Sequence, residues 1–383
     1  MQNSNQKRGD LGQHWTPSST VKLMLTLISG LPDNGSILEP AVGTGNIYTE
    51  LIKQYDSDYI DALEIDENVV PEEYKEKFEI DSFFNMSPDR KYNCIIGNPP
   101  YVNGRLLDTT TRSNIKKYNS LIPMTSNLYL HFIEKCVKHH MIEGSQIIFI
   151  VPNTFLSKVS FGKNLRKYLL KHGNITHHIK HNAKWDKASI ETVIFRWVKG
   201  EKQNGHIINE HNVKADIFHK DGSIFFIDYK TIGTLSDWFK ISVGCVPRKI
   251  NLSDIGISLI KNNKIEVFSK KHMWSREIYS KPCHKILFKS GPTRSREIFY
   301  NTLDHSEEQA SKHIDFAMTF KYDMSADQLK EVSEALNEFF NEKDNILGLR
   351  PDGRWTAGIT EMKNIPINQT LNNIFTTIKN KAV

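Results

Sequence analysis

The chain has 383 residues, with 50 Lys+Arg against 44 Asp+Glu and a formal net charge of +6, which allows two domains with sizeable cores and suits a polyanionic partner. Four cysteines, Cys94, Cys136, Cys245 and Cys283, are scattered without ligand spacing, so a disulfide scaffold or a zinc site is not expected and a reducing cytoplasm is. The opening residues are too polar for a secretory signal, and no apolar run approaches the ~18 residues that span a bilayer.

Met1 to Asp10 reads as a short disordered lead-in. Gly12-Gln13-His14-Trp15-Thr16-Pro17-Ser18 then leads into a helix with Val21, Met24, Leu25 and Ile28 at helical spacing. Thr16 and Ser18 are N-cap candidates, and Trp15 fits a core position. Ile37-Leu38-Glu39-Pro40-Ala41-Val42-Gly43-Thr44-Gly45-Asn46, followed by Ile47 and Leu51 on one helical face, reads as strand, glycine turn and helix. The second strand, Tyr59-Ile60-Asp61-Ala62-Leu63-Glu64, ends in a carboxylate about 20 positions after the turn, the spacing at which an acid grips ribose hydroxyls. The turn lacks the full Gly-x-Gly-x-x-Gly pattern. Glu39 before it repels phosphates and suits a cationic ligand bearing an amino acid, which favours S-adenosylmethionine over a nicotinamide dinucleotide. A third strand signal ends at Phe78-Glu79-Ile80-Asp81-Ser82-Phe83. Asp81 either accepts from an adenine amino group or caps a following helical turn.

The apolar run Cys94-Ile95-Ile96-Gly97 leads into Asn98-Pro99-Pro100-Tyr101. The prolines fix φ and donate no N–H, so the Asn98 side-chain oxygen and the Pro99 carbonyl can converge on one planar NH2 group. Tyr101 offers a ring face for stacking. Such acceptors bias the amine toward a geometry with an available lone pair, making it a nucleophile. The alternative is a plain strand-end turn with a packed tyrosine.

In this order, Gln13 to Pro17, Glu39 to Asn46, Glu64-Ile65-Asp66, Asp81-Ser82-Phe83 and Asn98 to Tyr101 resemble motifs ten, one, two, three and four of the gamma-group N6-adenine DNA methyltransferases, above all the TaqI-like and type IIG-associated enzymes. The resemblance continues through Ser126-Asn127-Leu128-Tyr129, Phe132, the strand Ile147 to Asn153, the basic helix Gly162-Lys163-Asn164-Leu165-Arg166, and Trp185 to Trp197. It covers about 200 residues, a normal domain size. It implies an α/β fold, a Rossmann-like S-adenosylmethionine-dependent methyltransferase sheet. It further implies that Gln13, Thr16, Glu39, Ala41, Gly43, Gly45, Glu64, Ile65, Asp81, Ser82 and Pro99 surround S-adenosylmethionine. By the same resemblance Asn98, Pro99, Pro100 and Tyr101 hold the target adenine, and Trp185 packs on its other face. A buried-core Trp185 is the competing assignment. No metal is implied. The implied partner is double-stranded DNA, methylated as the modification step of a restriction-modification system whose endonuclease acts separately.

Lys199-Gly200-Glu201-Lys202-Gln203-Asn204-Gly205 is a polar linker, which places a catalytic domain over 1–200 and a target-recognition domain of mixed α+β character over 206–383. Beyond it Ile207-Ile208 and Ser223 to Ile227 read as strands, and Ala326 to Asn341 has helical periodicity. Trp238 to Gly244 and Ile359 to Ile367 are similar to the opening segment and closing strand of such recognition domains. Lys261 to Arg296 mixes cations with Trp274, Tyr279 and Phe288, and Lys285, Lys289, Arg294 and Arg296 are the candidate DNA contacts. A merely solvated basic face is the alternative. Pro351-Asp352 with Glu361-Met362-Lys363 fits a metal-dependent nuclease pattern, but only about twenty residues follow Lys363, too few to complete such a core. Three other functions stay in view: methylation of an RNA adenine, methylation of a protein glutamine, and a catalytically silent DNA-binding scaffold.

Overall fold

The structure of the protein, a computed structural model, describes residues 16–117, 120–152, 155, 162–181, 192–202, 206–208, 214–220, 223–227, 229–243, 257–261, 264–268, 285–289, 298–301, 315–342 and 359–382. Gln13, Trp15, Trp185, Arg294, Arg296, the lead-in Met1 to Asp10 and the pair Pro351-Asp352 lie outside the described residues. The chain divides into two compact units, Met1–Leu156 with Ser160–Ala215, and Ser157–Val159 with Asp216–Val383.

The first unit carries β1 (Ile37–Glu39), β2 (Ile60–Glu64), β3 (Glu79–Ile80), β4 (Tyr92–Gly97), β5 (Met141–Pro152), β6 (Gly173–His181), β7 (Thr192–Lys199) and β8 (His206–Ile208). The strands lie in the order β3-β2-β1-β4-β5-β7-β6, with β8 beside β6. Only β7 runs antiparallel to its neighbours, β5 and β6. This is the mixed seven-strand sheet typical of class I S-adenosylmethionine-dependent methyltransferases, so the expected α/β class holds. The central strands β1, β4, β5 and β7 are almost entirely buried along their apolar runs, as strands covered on both faces must be.

Alternate residues of these strands feed two cores. Cys94, Ile96, Ile148, Ile150 and Ile194 pack with Val21 and Met24 of α1 (Ser18–Thr26) and with Ile47 and Leu51 of α2 (Asn46–Leu51). The unit's other helices are α3 (Thr109–Lys117), α4 (Leu128–Lys135) and α5 (Lys163–His172), of which α5 meets the opposite face. There the fully buried Trp197 donates its indole N–H to the Leu169 carbonyl of α5 at 2.9 Å, so its one polar atom is satisfied. Neither Thr16 nor Ser18 caps α1. Pro17 is the N-cap residue, and its carbonyl accepts from Thr20 and Val21, which releases the Thr16 hydroxyl for a contact described below.

The second unit contains the hairpin of β9 (Lys214–Lys220) with β10 (Ser223–Ile227), and the short helix α6 (Leu235–Trp238) closed by a capping box on Thr234 and Asp237. A four-stranded antiparallel sheet follows in the order β11 (Phe239–Val243), β16 (Asp315–Phe320), β14 (Lys285–Lys289), β15 (Ile298–Asn301), with a separate hairpin of β12 (Ile257–Lys261) and β13 (Lys264–Phe268). Its helices are α7 (Ala326–Glu342), α8 (Ile359–Asn364) and α9 (Gln369–Lys381). Phe239, Phe320, Leu336, Phe340, Met362 and Phe375 share one core, and the mixed α+β character is as expected. The closing strand expected over Ile359 to Ile367 is instead α8 followed by a single β-bridge between Thr234 and Pro366. Glu361, Met362 and Lys363 are good helix formers, and Pro366 has no N–H with which to continue a ladder. The Glu361 and Lys363 of the nuclease-like pattern therefore stand on a helix.

Candidate functional site

The site lies where β1, β2, β3 and β4 all end, at the point where strand order reverses about β1. Past β1 the chain turns through Gly43 at φ 58° and Gly45 at φ 82°, left-handed conformations that glycine adopts without strain. The turn is stapled to the end of β2: Val42 N–H donates to the Leu63 carbonyl at 2.8 Å, and Gly43 N–H to Glu64 Oε2 at 2.8 Å. Glu64 Oε1 accepts from Ile65 N–H and Asp66 N–H, both at 3.0 Å. Burial raises the Glu64 carboxyl above the ordinary range, and the three backbone donors work against that rise. A Cβ at Gly45 would stand 3.2 Å from the rings of Tyr74 and Phe78, whereas at Gly43 it would meet open space.

Glu39, the last residue of β1, is 1% exposed. Among the described residues its Oε2 has no hydrogen-bond partner. Burial pushes this carboxyl well above the usual carboxylate range, the Tyr48 backbone opposes the rise, and the nearby Glu64 charge adds to it. A buried, unpartnered acceptor facing a cavity is costly unless a ligand completes it.

Asp81 follows β3. Its Oδ1 accepts from Ser82 N–H at 2.6 Å and from Asn85 Nδ2 at 2.7 Å. Ser82, not Asp81, is the N-cap of the next 3-10 turn, accepting from Phe84 N–H at 3.3 Å. That turn is clasped from α4 by Lys135, whose buried ammonium donates to the carbonyls of Phe83 at 2.6 Å and Met86 at 3.0 Å and lies 4.8 Å from the Phe83 ring centre. Burial pulls Lys135 down to about 8.

Asn98 and Tyr101 sit just past β4. The Tyr101 hydroxyl lies 2.7 Å from Asn98 Oδ1 and 2.9 Å from the Ile150 carbonyl, so its single proton bridges two acceptors. The Asn98 amide donates to the Thr16 hydroxyl at 3.3 Å, and Asn46 Nδ2 donates to the Thr16 carbonyl at 3.0 Å. The entry to α1 thereby orients the amide. An amide oxygen has two lone pairs, so Asn98 Oδ1 can hold the tyrosine proton and still accept from a ligand amine. Burial drives the Tyr101 hydroxyl well above its usual value, and its ring meets Tyr129 edge-on at 5.9 Å.

One cavity of about 290 Å³ joins these parts. Thr16, Glu39, Ala41, Gly43, Glu64, Ile65, Asp81, Ser82, Asn98 and Pro100 line it. Gly45, Pro99 and Tyr101 are not among its lining residues; Gly45 turns the chain behind it and Tyr101 braces Asn98. Pro40, Val42, Thr44, Asn46, Ile47, Val69, Phe83, Phe84, Val102, Leu106, Leu107, Asp108, Thr111, Leu128 and Phe132, to which the sequence assigned no site role, complete the wall. Asp108 and Thr111 carried a readable signal, since Asp followed three residues later by a polar residue marks a helix start, and Thr111 N–H and Oγ1 both donate to Asp108, at 2.8 and 2.6 Å. Leu128 and Phe132 carried none, because an apolar pair at helical spacing reads equally as core. Among the described residues, no group of three or more His, Cys, Asp and Glu is arranged to hold a metal ion, and no helix is long and apolar enough to cross a membrane.

Residues 19–184 match the family described as Eco57I restriction-modification methylase. The type II methyltransferase M.HincII of Haemophilus influenzae is 32% identical over 232 residues, 58% of this chain and 44% of that protein. The modification methylase CviBIII of Paramecium bursaria Chlorella virus NC1A is 32% identical over 141 residues, covering 35% of each chain. The solved structure of the type IIL restriction-modification enzyme MmeI in complex with DNA aligns with a TM-score of 0.47 at 11% identity, over 95% of this chain and 72% of that one. The amino-terminal part of the chain is thus homologous to type II methyltransferases, and the chain spans 44% and 35% of the length of these two relatives.

Proposed function

We propose that the chain is a DNA methyltransferase of a restriction-modification system, and that it transfers a methyl group from S-adenosylmethionine to N6 of an adenine flipped out of the duplex. The observation that carries this reading is the single cavity, in which the Glu39 to Asn46 turn, Glu64 and Asp81 share a wall with Asn98 and Pro100. The residues present fit the cofactor: the unpartnered Glu39 Oε2 suits a cationic head, the open α-carbon of Gly43 admits close approach, and Glu64 and Asp81 offer acceptors to ribose and adenine. The match of residues 19–184 to restriction-modification methylases agrees with this.

When bound, S-adenosylmethionine supplies an electrophilic methyl carbon on a sulfonium centre. The rest falls to the protein. Extruding the base costs a few kcal/mol of pairing and stacking, which aromatic contacts around Tyr101 and Trp185 offset. Asn98 Oδ1 and the Pro99 carbonyl accept the two amine protons and hold N6 with its lone pair available. After attack the cationic N6 gives its extra proton to solvent water, so no strong general base is needed at the turn. Residues 206–383 recognise the target sequence, with Lys285, Lys289, Arg294 and Arg296 on phosphates. Incubation of purified protein with methyl-labelled S-adenosylmethionine and DNA containing all short sequence contexts, followed by nucleoside analysis, gives N6-methyladenine. Label found only in tRNA, rRNA or a protein glutamine, with none in DNA, refutes the reading.

A further inference from the structure

Asp81 does not stand alone on the cavity wall. Its Oδ1 takes a proton from Asn85 Nδ2 at 2.7 Å; Asn85 Oδ1 in turn accepts from Asn114 Nδ2 at 2.6 Å, and Asn114 Oδ1 accepts from Lys117 Nζ at 2.8 Å. Asn114 is 6% exposed on the inner side of α3, while Lys117 is exposed at the helix end. The polarity of this chain is fixed by its ends. An ammonium can only donate and a carboxylate that accepts two protons here can only receive, so both intervening amides must point their NH2 groups toward Asp81. Donors aligned head to tail in this way polarise one another.

The consequence is on Asp81 itself. Asn85 and the Ser82 backbone both engage Oδ1, and Oδ2 has no hydrogen-bond partner among the described residues. One oxygen is tied and the other is left as a fixed acceptor beside the aromatic wall of Phe83 and Phe84. An acceptor-only group next to aromatic faces selects a planar ring that carries an N–H donor.

We propose that Asn85, Asn114 and Lys117 are positioning residues that orient Asp81 so that its Oδ2 reads the exocyclic amino group of the ligand's purine, making this relay the specificity device for the nucleoside end of the cofactor. This rests on the reading of the cavity as an S-adenosylmethionine site. The helix that carries the relay also braces the neighbouring wall, since Arg112 donates to the carbonyls of Gly104, Arg105 and Leu107, each at 2.9 Å. Helix α3 therefore sets both sides of the pocket from one rigid element.

Asn114→Asp tests the direction of the relay. It replaces the amide that donates to Asn85 Oδ1 with an acceptor, which forces the Asn85 amide to turn over and present oxygen to Asp81. The probes are S-adenosylhomocysteine and the analogue whose purine carries hydrogen in place of the amino group, each titrated calorimetrically into the full chain. Wild type is expected to prefer the amino-bearing ligand about tenfold or more, the scale of one hydrogen bond to a charged acceptor. In Asn114→Asp the preference falls to within about twofold, while affinity for the amine-free analogue stays unchanged. Asn85→Ala, at an exposed position, lowers the preference in the same way if the buried substitution unfolds the chain, and Lys117→Met lowers it less. A preference retained in Asn85→Ala, or an equal loss of affinity for both ligands, refutes the inference and leaves the cofactor reading standing. Wild type binding neither ligand sinks the cofactor reading, and the inference with it.

Discussion

Glu39→Gln separates stability from ligand binding at the candidate site. Glu39 is buried, its Oε2 lacks a partner, and burial raises its carboxyl well above the ordinary range. The folded state thus binds a proton at Glu39 more tightly than the unfolded chain does. Stability is full below the unfolded value and falls as pH rises from there toward the folded value. A glutamine of nearly the same shape carries no such cost. Across that window the variant gains about 1.4 kcal/mol over wild type per pH unit. For a unit of 150–250 residues this corresponds to roughly 3–6 °C in Tm per pH unit. Glu64, also raised by burial, adds a slope of the same sign in both proteins, so the difference between them reports Glu39 together with its coupling to Glu64. The assay is thermal unfolding from pH 5 to 8, with and without S-adenosylmethionine. Without ligand the gap in favour of Glu39→Gln widens as pH rises; with saturating ligand wild type gains Tm and the variant gains little. A gap that stays flat with pH, or a variant that binds S-adenosylmethionine as wild type does, refutes the reasoning.

Asn98→Ala removes one of the two acceptors assigned to the target amine and should lower single-turnover methylation by about 10² or more, leaving cofactor affinity within a few-fold. Glu64→Ala should do the reverse, because Gly43, Ile65 and Asp66 lose the carboxylate that holds the turn; equal loss of cofactor affinity in both variants would overturn the division of roles. Tyr101→Phe keeps the ring but removes the hydroxyl shared by Asn98 Oδ1 and the Ile150 carbonyl, and should cost about 1 kcal/mol in unfolding and about tenfold in turnover; wild-type turnover would show that the Tyr101 hydroxyl is not needed to orient Asn98. Lys285→Ala with Arg294→Ala should reduce the slope of log K against log salt for DNA by about 2, equally for specific and non-specific sequences, and an unchanged slope would return this stretch to a solvated face.

The sheet was legible because burial on both faces writes itself into contiguous apolar runs. Ile37 to Glu39, Cys94 to Gly97 and Ile147 to Val151 each became a central strand. The order of those strands was not written in any run; it is read from their pairing in the sheet. Where one segment had two readings, local pattern misled. Ile359 to Ile367 has apolar residues that suit a strand, yet Met362 and Ile365 reach the second core from a helix and the turn after it. Thr16 and Ser18 have capping side chains, yet Pro17 occupies the cap and Thr16 is spent on Asn98 and Asn46.

The candidate site divides along the same physical line. Cavity-lining residues at a strand end, such as Glu39, Glu64, Asp81 and Asn98, were readable because each sits next to a glycine, a proline or an apolar run that gives its position away. Residues whose hydrogen bonds go to another side chain at the cavity were not. Asn85 and Asn114 are 29 positions apart, and no periodicity in either segment announces that their amides meet at 2.6 Å. Sequence pattern records how much water a side chain sees, and a hydrogen-bonded relay between loop and helix leaves that quantity almost unchanged. The direction of the relay nevertheless follows from residue types once the contacts are known, since a lysine at one end and an aspartate at the other permit only one orientation of the amides between them. Geometry was needed to find the partners, and elementary donor and acceptor chemistry was enough to say which way each amide points.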